Sequence, residues 1–142
     1  MKKTLSMFLA AGALSLASCQ SVVYTAEKTE SKLKEKSYSV QVYSYEEAKV
    51  RISGLNYDIV SFTNALFAEK GSDANKDLLI AFYFPTVDAA NKFVDDNSHE
   101  NLGKMNDYAD KNLGENLTKK VGVHNNVAYV GSTASFDIAF GD

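Results

Sequence analysis

The sequence predicts an α+β domain: an antiparallel sheet of four to five strands with two or three helices packed mainly on one face. Three observations lead there. Residues 38–43 alternate Tyr38, Val40 and Val42 against Ser39, Gln41 and Tyr43, the period of a half-buried strand. Residues 78–84, LLIAFYF, are apolar without alternation, which suits a central strand covered on both faces. Two segments open on helix N-cap residues and then carry apolar residues at helical spacing. There is no G-x-G-x-x-G and no regular βαβ series, which argues against a dinucleotide-binding fold.

The chain begins MKKTLSMFLAAGALSLASC. Lys2 and Lys3 form a positive start, Leu5 to Leu16 is an apolar segment, and small residues lead into Cys19, the only cysteine. This is the layout of a secretory signal peptide, and it is too short for a settled transmembrane helix. Leu16-Ala17-Ser18-Cys19 resembles the lipobox of bacterial lipoproteins. The resemblance implies a diacylglyceryl group on Cys19 and cleavage between Ser18 and Cys19, with Cys19 the mature N-terminus. Several acyl chains are needed, because one alone holds a protein to a bilayer only marginally. The implied location is the cell envelope, with the membrane engaged through the lipid. In a single-membrane bacterium that means the outer face of the cytoplasmic membrane. Where there are two, Gln20 lacks the Asp that often retains lipoproteins at the inner membrane, and the outer membrane is implied. Removal of residues 1–18 leaves thirteen cations against eighteen acids, a net charge of −5. It also leaves no free thiol for disulfides, thiolate catalysis or Cys-based metal sites.

Residues 19–36 are rich in Ser, Thr, Glu and Lys and read as a lipidated N-terminus and flexible tether, able to reach on the order of 55 Å when extended, with a short helix toward its end as the alternative. Residues 37–142 then form one globular domain. After the first strand, Ser44 with Glu47 three residues on makes a capping box. Tyr45, Ala48, Ile52 and Leu55 repeat at helical spacing, and Gly54 can end that helix. Residues 56–70 read as extended chain and 71–77 as a turn before the central strand. Pro85 stops that strand and Thr86 caps a helix whose inner stripe is Val87, Ala90, Phe93 and Val94. A second helix follows with Leu102, Met105, Ala109 and Leu113 inward. Residues 118–132 read as a hairpin with Asn125-Asn126 at its tip, since Asn tolerates the positive φ that tight turns require. The last segment is a short helix or an edge strand, and Phe136 and Phe140 at a spacing of four favour the helix.

The charge balance, fifteen Lys plus Arg against eighteen Asp plus Glu, provides no basic field for a phosphate backbone, so nucleic acid is not an expected partner. Asp73, Asn75 and Asp77 resemble the start of a calcium loop. However, Leu78 stands where the loop needs Gly and Phe84 where it needs Glu. His99 and His124 are the only histidines, and with Asp95 or Asp96 they would make a metal site only by converging from a helix break and a hairpin tip. No metal or other cofactor is expected. Neither histidine is accompanied by a G-x-S-x-G elbow. The acid pairs Glu46/Glu47, Asp95/Asp96 and Asp107/Asp110 fall where helix caps and solvated faces account for them, so no catalytic residue is assigned. Eight tyrosines exceed what so small a core takes up, and tyrosine suits surfaces that are dry on one side and wet on the other. Tyr43, Tyr83 and Tyr129 are therefore the candidate binding face, on the open side of the sheet. The expected role is a non-catalytic binding or interaction domain on a membrane-anchored envelope or surface lipoprotein, its partner a protein, peptide or small ligand. The alternatives are a small envelope hydrolase built on His99 or His124, and an inhibitor presenting the hairpin tip to an enzyme cleft.

Overall fold

Five strands pair antiparallel throughout: β1 (Ser39–Ser44), β2 (Asn64–Lys70), β3 (Asp77–Tyr83), β4 (Lys119–His124) and β5 (Val127–Ser132), in the spatial order β1-β2-β3-β5-β4. The computed structural model describes residues 23–55, 57, 61–95 and 100–141. Cys19, Ser18 and the rest of the lipobox, as well as Asp96 and His99, lie outside the described residues. β3 sits at the centre and all seven of its residues are buried: the six from Leu78 to Tyr83 as the apolar run requires, and Asp77 through the bonds described below. The fold class is the α+β arrangement that the strand and cap patterns predict, with five strands in an antiparallel sheet, but the expected two or three helices on one face are five among the described residues, packed on both faces.

Helices number five among the described residues: α1 (Ala26–Glu35), α2 (Tyr45–Arg51), α3 (Val87–Val94), α4 (Glu100–Asn112) and α5 (Thr133–Phe140). Three of them, α2, α3 and α4, cover one face of the sheet. Ala48, Ala90, Phe93, Met105 and Ala109 pack there against Ala65, Ile80, Phe82, Ala128 and Val130. Phe62 anchors this layer, its ring centroid 5.1 Å from that of Phe82 and 4.9 Å from that of Tyr45. The expected caps are present: Ser44 and Glu47 form the full capping box of α2, and the Thr86 hydroxyl accepts the Ala89 N–H at 3.1 Å. The C-terminal segment is the helix that Phe136 and Phe140 suggest, opened by a second capping box from Ser132 and Ser135.

The other face is covered by α1 and α5, and here the structure corrects the tether reading. Residues 26–35 form a docked helix. Thr25 caps it, and Ala26, Thr29 and Leu33, spaced three and four apart, are buried against Leu66, Ala68, Leu79 and Phe140. Three inward residues suffice because the remaining positions, Lys and Glu, stay in water. Both ends of this helix are fastened. At its start, the Tyr24 N–H donates to the Asn126 side chain at 2.7 Å, and the Asn126 amide donates to the carbonyls of Tyr24 and Phe84 at 3.0 and 2.9 Å. Just beyond its end, the Tyr38 hydroxyl donates to the buried Asp77 carboxylate at 2.6 Å, and the Ser132 hydroxyl donates to the same carboxylate. Burial and the Asp77 charge raise the Tyr38 hydroxyl well above the usual phenol range.

Candidate functional site

The three tyrosines expected to form a binding face are not brought together. Tyr83 and Tyr129 are buried, 1 and 5 % exposed, on the face that α1 and α5 cover. Tyr43 is half-buried on the opposite face, among the residues packed with α2. The alternation of a strand explains this: Tyr43 is in register with Ala65 and so with Phe82, whereas Tyr129 is in register with Ala81. Since α1 and α5 close over the face that carries Tyr83 and Tyr129, no open side of the sheet presents the three together.

What the structure offers instead is a groove of about 280 Å³ on the α2–α4 side of the sheet. It exists because α2 is short. The helix ends at Arg51, and the chain turns away through Gly54, whose φ of +91° is a left-handed conformation suited to glycine. Between that turn and α4, no helix among the described residues covers this part of the sheet. Ile80 and Phe82 of β3 and half-buried Phe67 of β2, which is in register with Ile80, form the floor. Ile52 and Leu55 wall one side, with Met105 and Tyr108 of α4 on the other; Tyr108 is 43 % exposed. The polar groups at the groove are Ser53, Arg51 and Lys104, so it is an apolar trough with two cations and no acid among its lining residues. The Arg51 guanidinium lies 5.0 Å from the centre of the Tyr43 ring, a cation–π contact that fixes its approach. Gly54 leaves the space beside it to Lys104, whose ammonium would be 3.6 Å from a β-carbon at that position. The nearby Glu47 carboxyl is engaged elsewhere. The backbone and side chain of Ser44 hold it below its ordinary value, with a smaller contribution from Arg51.

The other candidates resolve into structural roles. Asp77, the third polar residue of the calcium-like pattern, is the buried acceptor for Tyr38 and Ser132, while Asp73 and Asn75 belong to a single 3-10 turn. His124 lies at the edge of the α5 face, its ring 5.2 to 5.5 Å from those of Tyr24, Phe136 and Phe140, with Nε2 3.2 Å from the Tyr24 hydroxyl. Partial burial lowers its pKa, and the Lys120 charge lowers it further. The Lys120 ammonium itself sits 3.7 Å over the Phe136 ring. Asn125 has the positive φ expected at a hairpin tip, and Asn126 beside it is buried and bonded to the segment before α1. Asp110 pairs with Lys119 at 2.6 Å and Glu46 with Lys49 at 3.3 Å, ordinary surface contacts. Among the described residues no group of three His, Cys, Asp or Glu is placed to hold a metal ion, and no helix is long and apolar enough to cross a membrane.

Sequence reasoning missed the groove because its two cations, Arg51 and Lys104, come from different helices far apart in the chain. The one local hint was the cluster of Ile52, Ser53, Gly54 and Leu55, apolar residues straddling a helix stop. No family model, curated protein or solved structure matches this chain.

Proposed function

We propose that this protein is a lipid-anchored envelope lipoprotein whose domain is a non-catalytic binding module, with the groove between α2 and α4 as its site. The observation that carries this reading is an apolar trough opening at a cationic mouth on a protein of net negative charge. Binding sites combine an apolar lining with a few placed polar groups, and this groove has both. The lipobox resemblance supplies the anchor at Cys19 and the envelope location. His124, the one histidine among the described residues, has aromatic rings and a phenol around it, and its Nε2 faces the Tyr24 hydroxyl rather than a serine or carboxylate. That arrangement favours the binding reading over a hydrolase.

The test is native mass spectrometry of the full chain extracted gently from membranes of its own host, beside Cys19→Ser and Ser53→Trp versions. The expected result is a diacylglyceryl mass that disappears in Cys19→Ser, and a co-purifying ligand or partner that disappears when the indole of the Ser53→Trp variant fills the groove mouth. A chain without lipid overturns the anchor. A co-purifying species retained by Ser53→Trp overturns the site.

A further inference from the structure

The geometry points to a particular occupant for this groove: an amphipathic carboxylate, with its head held between Arg51 and Lys104 and its hydrocarbon chain laid along β3. The inference rests on the groove being the binding site proposed above.

The head-group assignment comes from the two cations. Arg51 is the only arginine in the chain; the other fourteen basic residues are lysines. A guanidinium presents a planar fork that matches a carboxylate with two parallel hydrogen bonds, which an ammonium cannot do. Stacked 5.0 Å over Tyr43, this fork is oriented before any ligand arrives, so less freedom is lost on binding. Lys104 makes no ion pair with a described residue, and no acid lines the groove beside it. The C-terminus of α2, the negative end of its dipole, lies at the same mouth. That partial charge opposes any anion, a doubly charged phosphate head about twice as strongly as a singly charged carboxylate, so of the two it is the carboxylate that the two cations more readily offset.

The assignment of the tail comes from the floor. Phe82 and Ile80 are alternate residues on one face of β3 and Leu78 is the next. A shallow hollow of about 20 Å³, room for the end of a chain and little more, adjoins the groove at Leu78 and shares Phe67, Ile80 and Tyr108 with it. The line from Phe82 to Leu78 is about 13 Å at the rise of a strand. A narrow track of that length follows a linear chain better than a ring. Met105, unbranched and polarizable, lies against it and can adapt to a flexible tail. At the far end Lys76 and Glu69 pair at 3.3 Å, so the charges there are already matched and the head is directed to the Arg51 end.

The experiment titrates the full chain carrying Cys19→Ser with dodecanoate, dodecanol, dodecyltrimethylammonium and dodecyl phosphate below their micelle concentrations, reading the methyl signals of Ile80 and Met105 by NMR. The expected result is that dodecanoate moves these signals and binds at least tenfold more tightly than the other three. Arg51→Gln and Lys104→Gln should each weaken it about tenfold, the loss expected for a charged hydrogen-bond partner. Both residues are exposed, so these variants keep the fold. If dodecanol or the ammonium binds as well as dodecanoate and Ser53→Trp abolishes it, the groove is a site but the anion assignment is wrong. Tighter binding of dodecyl phosphate overturns the carboxylate. If none of the four moves Ile80 or Met105, both the occupant and the groove reading fall.

Discussion

Replacing Leu33 by Ala tests whether residues 26–35 belong to the domain. Leu33 is fully buried, in the last turn of α1, within the cluster that includes Ala26, Tyr38, Leu66 and Phe140. Removing three methyl or methylene groups' worth of packing from such a site costs about 2–5 kcal/mol, depending on how far the surroundings collapse into the cavity. Collapse is restricted here. The Asn126 bonds to Tyr24 hold one end of the helix and the Tyr38–Asp77 bond holds the chain just beyond the other. The upper half of the range, about 3.5–5 kcal/mol, is therefore expected. Urea denaturation followed by far-UV circular dichroism measures it, with Val50→Ala as the control. Val50 is 85 % exposed on α2, so its truncation should change stability by no more than about 0.5 kcal/mol. A Leu33→Ala loss below about 1 kcal/mol would refute the docking of α1 and return residues 19–36 to a tether.

Asp77→Ala removes the buried acceptor shared by Tyr38 and Ser132 and should cost about 2–4 kcal/mol in the same assay, whereas Tyr38→Phe should cost no more than about 1.5 kcal/mol because Asp77 keeps the Ser132 bond. Equal losses from both would contradict the shared-acceptor arrangement. For His124, the folded pKa lies below the unfolded value of 6.5. Well above pH 6.5 the ring is neutral in both states and pH has no effect through it. As pH falls below 6.5 the unfolded chain takes up the proton first, so stability declines until the folded pKa is reached. Midpoints of wild type and His124→Gln, compared across that range, should show wild type losing ground toward acid, and parallel curves would count against the buried, Lys120-facing placement of the ring.

The parts of this fold legible in the sequence are those fixed by neighbours in the chain. Ser44 and Glu47 announce α2 because both halves of a capping box lie within one turn, and the six apolar residues from Leu78 to Tyr83 announce a central strand through composition alone. Asn125 marks the hairpin through its tolerance of a positive φ. What was hidden depends on partners far away in sequence. The stripe Ala26, Thr29, Leu33 is too weak to distinguish a docked helix from a solvated one, and its burial is decided by Leu66, Leu79 and Phe140. The tyrosines misled for the same reason. Tyr83 and Tyr129 look like surface aromatics until α1 and α5 are seen to close over them. The groove is harder still to foresee, since it is the space left by a helix that stops early.

The docked α1 also changes what anchoring would mean mechanically. With lipid on Cys19, as proposed, the first fastened point among the described residues is Tyr24, held to the hairpin tip by Asn126. Five peptide units separate the two, a leash of at most about 18 Å where a free tether would have allowed three times as much. A domain anchored in that way would skim the headgroups instead of sampling the space above them. Its encounters would become a search within the plane of the membrane, and the end of the sheet bearing Asn126 and Phe84 would be the end kept lowest. The groove lies on the opposite side of the sheet from α1, so the anchored segment would not cover it.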